Sequence, residues 1–306
     1  MKLTRAAVLV LLFLQEDTLD RARALAESGR IEEAIRLLEN RTRTDPRALE
    51  LAFLAQLEAA SGALPQAARA LERALELAPE QDGLRVTLGA ILFELRRFDA
   101  AARELETAVA KNGRSALAHY YLAAVQRGLL RLDFAEKSAE RAIELSPPPA
   151  RAPLDFREFA PSVAARHLLA EIRFELGKDV EPLLREVLAV EPDHPSARYL
   201  LARSLQRRGR TEEAANELQL FDAIKRAEAH LAQGLELART GRREEAIAEL
   251  QLAIEAHPEY ARALFLLGRE LLRADRRTEA RAALDRVVTL RPDAAPEIAR
   301  LLESFP

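Results

Sequence analysis

The chain has 306 residues, above the roughly 250–300 at which one hydrophobic core stops growing, so it holds either two domains or a fold that is not a single globule. Hydrophobic residues make up 49% and charged residues 31%, which excludes a disordered or membrane-embedded chain, and a net charge of -3 gives no electrostatic footprint for nucleic acid. The absence of cysteine removes disulfides, thiol catalysis and Cys-bearing zinc sites.

At the N-terminus, Lys2 and Arg5 precede an apolar run from Ala6 to Leu14, and Gln15, Glu16 and Asp17 come after it. A short positive stretch before about 7–15 apolar residues is how a secretory signal opens, and the run is too short to span a bilayer. Phe13-Leu14-Gln15 is a poor cleavage site. Residues 1–14 are therefore either a signal or anchor, which would place the protein outside the cytoplasm or at a membrane, or a helix packed on the segment downstream.

Beyond Asp17 a pattern recurs. Gly29, Gly62, Arg96 and Leu130 open four similar stretches whose Ala residues, Ala34, Ala67, Ala101 and Ala135, lie 33, 34 and 34 apart. A breaker closes each stretch, at Pro46, Pro79, Gly113 and Pro147. The second half repeats the scheme from Gly177 to Pro192, at Gly209 with Ala214, from Gly241 to Pro258 and from Asp275 to Pro292. Upstream of the turns stand pairs of a large and a small residue, among them Leu54-Ala55, Leu88-Gly89, Leu122-Ala123, Leu169-Ala170, Leu201-Ala202 and Leu267-Gly268. Ala, Leu, Glu and Arg dominate, and all four favour helix. Two helices joined by a short turn approach closely only where both carry small side chains, so each unit reads as a helical hairpin that must stack on its neighbours to bury its apolar stripe. Leu105 is expected to fill the groove toward the next hairpin.

The large-small pair, the Gly-bearing turn, the early Ala and the exit Pro resemble the tetratricopeptide repeat over roughly residues 15–294. The resemblance implies an all-α, right-handed α-solenoid of about eight hairpins, four over 15–149 and four over 163–294, with residues 295–306 forming a capping helix or a dimer contact. It also implies a scaffold that binds a protein or peptide in the concave groove lined by the first helices.

Two irregularities interrupt the period. Leu130 and Gly177 are 47 apart rather than 34, and the excess falls in a Pro-rich insert at 150–162, either a surface insertion or a hinge or flap carrying Phe156 and Phe159. Thr211 to Leu237 contains no Pro, and no Gly before Gly234, which predicts a lengthened helix fused with the first helix of the next unit.

No chemistry emerges. The five His residues fall in separate units or exits, His194 and His257 beside Pro195 and Pro258, where solvated imidazoles are the ordinary expectation. No two share a helical face at metal-ligand spacing, and neither a nucleophile elbow nor a phosphate-cradling loop is present. Glu32-Glu33, Glu212-Glu213 and Glu244-Glu245 open second helices, where negative charge complements the dipole. The sequence predicts no catalytic residue, no metal and no cofactor.

A partner would meet the outward positions of the first helices: Phe93, then Tyr120 and Arg127, then Tyr199, Arg203 and Arg207, then Phe265, Arg269 and Arg273. Aromatic and Arg side chains carry interface energy through area, cation–π contact and bidentate pairing. Tyr199 and Phe265 read equally well as packed between neighbouring first helices. Some members of the resembled family grip a C-terminal carboxylate with Lys and Asn, but Asn40, Asn112 and Asn216 all fall in second helices or exits. The C-terminal groove reads as cationic, suited to an acidic or extended peptide. Two alternatives are a self-associating structural module and an RNA-binding helical repeat; the pI near 6.1 and Glu27, Glu58 and Glu94 speak against the second.

Overall fold

The computed structural model describes residues 18–148 and 161–305. The apolar segment 1–14 lies outside them, as do Phe156, Phe159 and all of the 150–162 insert except Pro161 and Ser162, which open a helix. Among the described residues there are helices and no strands. They pair as eight hairpins in two compact units that divide between Leu145 and Ser146.

The first unit holds α1 (18–27) with α2 (Ile31–Thr44), α3 (Ala48–Ala60) with α4 (Leu64–Leu77), α5 (Asp82–Glu94) with α6 (Phe98–Lys111), and α7 (Ala116–Gly128) with α8 (Leu132–Leu145). The second holds α9 (Pro161–Glu175) with α10 (Glu181–Val190), α11 (Pro195–Arg207), the long α12 (Thr211–Arg239), α13 (Arg243–Ala256), and α14 (Ala261–Arg273) with α15 (Arg277–Leu290). A 3-10 turn at Pro292–Ala294 leads into α16 (Ala295–Glu303).

One turn serves all eight hairpins. The first residue of each recurring stretch has positive φ, Gly29 at 79° and Gly241 at 79° among them. The next amide reaches back to the carbonyl five residues earlier, as Arg30 does to Leu25 (2.8 Å) and Arg276 to Leu271 (2.9 Å). This is the Schellman closure, which satisfies carbonyls the helix end leaves orphaned. Three turns hold the same geometry without glycine: Arg96 at 57°, Leu130 at 59° and Asp275 at 57°. The residue after the turn is Arg in six of the eight, and in four of these it clasps the Glu three positions on, among them Arg30 with Glu33 (2.6 Å), Arg210 with Glu213 (2.6 Å) and Arg276 with Glu279 (2.7 Å). The carboxylates expected to complement the dipole therefore also hold the entering chain.

Small residues set the helix spacing. Ala34, Ala67, Ala101, Ala135, Ala214, Ala246 and Ala280 are all buried. Leu105, expected to fill the groove toward the next hairpin, has its side chain against Gly89 of the paired helix, inside its own hairpin. The missing Cβ at Gly89 makes room for a fully buried leucine.

The helix expected from the missing breakers is real. α12 runs 29 residues, about 43 Å at 1.5 Å per residue, and supplies both the second helix of hairpin 6 and the first of hairpin 7. Phe221 distinguishes this helix from its counterparts. Counted from the turn it stands where other second helices carry Ala74, Ala108, Ala142 and Ala253, each essentially fully buried. The second unit has two separate cores, one from Val163 to Ala214 and one from Ala227 to Ile298. Ile224 falls between them in the chain and is fully buried.

The two exit histidines are not solvated as expected; both are buried. His194 caps α11, its Nδ1 accepting the Ala197 amide at 3.2 Å, and its ring lies 4.7 Å from that of His167. Burial drives its pKa down to about 3, with His167 adding to the effect, so it stays neutral. His257 bonds Asp193 through Nε2 at 2.7 Å and lies over Tyr260, with ring centroids 5.8 Å apart. Because α12 omits an exit loop, the exits of hairpins 5 and 7 meet here.

Candidate interaction surface

Of the nine groove residues named from the sequence, three fall in the first unit and six in the second. Phe93 is half-buried and packs on Phe98 of the same hairpin, ring centroids 5.9 Å apart, with Arg96 over the Phe98 ring at 5.4 Å. Tyr120 lies edge-on to Tyr121 at 5.2 Å, and Arg127 is half-buried. In the second unit, Phe265 belongs to the core at 4% exposure, so it presents no groove surface and follows the packed reading. Arg269 and Arg273 both engage the buried carboxylate of Glu270, at 3.4 and 2.8 Å. One carboxylate thus answers part of the charge of two guanidiniums.

Tyr199, Arg203 and Arg207 are the residues the fold brings together. They lie one turn apart along α11, and two aromatics the sequence did not single out complete the surface. Arg207 stacks on Phe174 of α9, its Cζ 3.5 Å from the ring centroid, and donates from Nη1 to the Phe174 carbonyl at 3.0 Å. Arg203 lies 5.8 Å from the same ring and 5.8 Å from that of Tyr199, and its Nη1 donates to the Tyr199 hydroxyl at 3.3 Å. Tyr199 in turn leans on Phe221 of α12, centroids 5.3 Å apart. The result is a continuous strip: Arg207, Phe174, Arg203, Tyr199, Phe221.

The strip is open because α12 does not turn back. Tyr199 stands two residues before its large-small pair, as do Val86 and Phe265 in α5 and α14. Those two are 6% and 4% exposed, while Tyr199 is 41% exposed. A regular first helix for hairpin 7 would have lain alongside α11; the fused helix carries that chain away. The missing breaker was legible in the sequence, but its consequence for α11 was not.

Electrostatics separates the strip from its surroundings. Several first-helix arginines have a carboxylate partner, among them Arg85 with Glu104 (3.0 Å) and Arg198 with Glu217 (2.6 Å), while Arg269 and Arg273 share Glu270. Arg203 and Arg207 have no carboxylate partner among the described residues. Their guanidinium faces rest on rings and their outer N–H groups point to water. A guanidinium left free of a carboxylate has the planar donor fork that pairs with a planar anion bidentately. In the first unit the groove charge expected at Glu58 is altered instead. That side chain is buried, and its pKa is pushed up to about 7 by desolvation, then by Glu39, against the opposing pull of Arg69.

Among the described residues no cluster of His, Asp and Glu is arranged to hold a metal ion, and no helix is long and apolar enough to cross a membrane. Stacked helical hairpins with a repeated Schellman turn and alanine-spaced pairs define the molecule as an α-helical repeat protein. Two models of the tetratricopeptide repeat match it, one over residues 19–82 and 231–296, the other over 58–125 and 177–236. The chain belongs to the tetratricopeptide repeat family. No curated protein matches it by sequence. Among solved structures, a tetratricopeptide repeat protein from Parabacteroides merdae aligns over 89% of this chain and 98% of its own, at 13% identity and a TM-score of 0.55. The ArsTM double mutant of MamA RS-1 aligns over 58% of this chain and 94% of its own, at 19% identity and a TM-score of 0.50. At these identities the likeness concerns the fold.

Proposed function

We propose that this protein is a non-catalytic interaction scaffold whose second unit takes an acidic segment of a partner protein along α11. The family supports the scaffold role. The acidic partner rests on one observation: Arg203 and Arg207 are stacked on aromatic rings without a carboxylate, whereas Arg198 of the same helix is paired with Glu217. Preorganised guanidiniums lose little freedom on binding, which is how stacked arginines become energetic anchors.

The test is a titration of fluorescein-labelled peptides, one rich in Glu and one of equal length rich in Lys, against the native chain and the Arg203→Glu/Arg207→Glu variant. The acidic peptide binds the native chain, weakens with salt, and loses at least about tenfold in affinity on the variant. Equal affinity for both proteins removes the strip from the account.

A further inference from the structure

The strip has a period, and the period constrains what lies on it. Tyr199, Arg203 and Arg207 succeed one another at four-residue steps of one helix, a rise of about 6 Å per step. The Phe174 ring is shared by the two guanidiniums, at 3.5 and 5.8 Å. An extended chain presents alternate side chains to one side at about 6.6–6.8 Å per pair of residues. The two repeats nearly coincide over these two steps.

A helical ligand could also place side chains about 6 Å apart, at every fourth residue, but a helix docks through a broad apolar stripe. Hairpin 6 interrupts such a stripe with charge. Leu218, at the position where Leu105, Leu250 and Leu284 fill the other hairpins, is half-buried. One turn on, the exposed Asp222 stands where other second helices carry Leu75, Val109, Ile143, Ile254 or Val288, all buried or half-buried. Two turns on, Lys225 and Arg226 are exposed as well. The apolar surface beside the two arginines is therefore narrow, centred on Tyr199 and the rings that flank it.

We infer that the second unit recognises an extended segment of the pattern acidic-x-acidic-x-apolar, its two carboxylates on Arg207 and Arg203 and its apolar side chain on Tyr199 and Phe221. This deepens the proposed function and rests on it. The intervening residues face away from α11 and are free in type. Charge alone does not satisfy the strip, because carboxylates on adjacent residues of an extended chain point to opposite sides.

The experiment uses the full chain and a set of synthetic peptides of equal charge and composition, each with two Glu and one Leu in an Ala/Ser background. In one the residues fall at alternate positions, in a second they are shifted to neighbouring positions, and in a third they are spaced by four to suit a helix. The first and third are made in both chain directions. Affinity is read by anisotropy and peptide conformation by circular dichroism. The alternate-spaced peptide binds at least about tenfold more tightly than the others, gains no helicity, and loses this preference on Arg203→Lys, which keeps the charge but not the planar fork. Equal binding of all the acidic peptides overturns the spacing and leaves the acidic partner standing. Preference for the four-spaced peptide with gain of helicity also overturns it. If none of them binds, the proposed function falls as well.

Discussion

The Cγ of Leu105 lies 2.5 Å from the point where a Cβ on Gly89 would sit, and Leu284 stands in the same relation to Gly268 at 2.6 Å. These glycines are sites of contact between helices rather than of backbone freedom, since no turn or positive φ is involved. The clashing atoms belong to fully buried leucines, which have little room to retreat.

Gly89→Ala and Gly268→Ala should therefore each cost about 1–3 kcal/mol by overpacking, despite alanine's higher helix propensity. Gly83→Ala is the control. Its Cβ would meet nothing within 4 Å, and the change should stabilise α5 by roughly 0.5–1 kcal/mol. Urea unfolding of the three variants checks the sign in each case.

The non-glycine turns carry strain that the others avoid. Leu130→Gly and Asp275→Gly should each raise stability by about 1 kcal/mol, the cost of a left-handed L-residue less the added freedom of the unfolded chain. Arg96→Gly should gain less, because Arg96 also lies over the Phe98 ring. Thermal melts of the three glycine variants rank them.

Glu58 makes stability depend on pH in an uncommon direction. Its ordinary carboxyl pKa of 4.5 is raised to about 7 in the fold by burial and by Glu39, and its Oε2 is buried without a hydrogen-bond partner. Between those values the native chain keeps a proton that the unfolded chain has lost. The contribution of this group is thus fully present below about pH 4.5, falls as pH rises through the window, and is gone above about 7. Glu58→Gln should remove that fall and stabilise the protein at pH 8 by about 2 kcal/mol. Denaturation of both proteins from pH 5 to 8 gives the two slopes.

The Asp193–His257 bond ties the two hairpin pairs of the second unit where α12 leaves them without a shared exit loop. His257→Ala removes a buried ring and a hydrogen bond and should cost about 1–2 kcal/mol. Amide exchange should quicken first at the C-terminal end of α13 and the start of α14. Uniform loosening of every helix would show that the tie has no local role.

Much of this molecule is written locally. The helical hairpins, the eight turns and the fused α12 follow from spacing alone, because a Schellman turn, an alanine contact and a proline exit each draw their geometry from a few neighbouring residues. The strip was only half legible. Tyr199, Arg203 and Arg207 share one helix face by periodicity, whereas Phe174 and Phe221 reach them only through helix packing. The same repeat position is buried at Phe265 and open at Tyr199, since exposure depends on which helix comes alongside. The five His residues divide in the same way: a proline beside His194 or His257 suggests a loop, but burial was decided by the exits of hairpins 5 and 7 meeting 64 residues apart in the chain. Sequence determined what each segment is, through short-range sterics and hydrogen bonding. Tertiary packing decided which side chains remain in water, and with them which guanidiniums are left without a carboxylate.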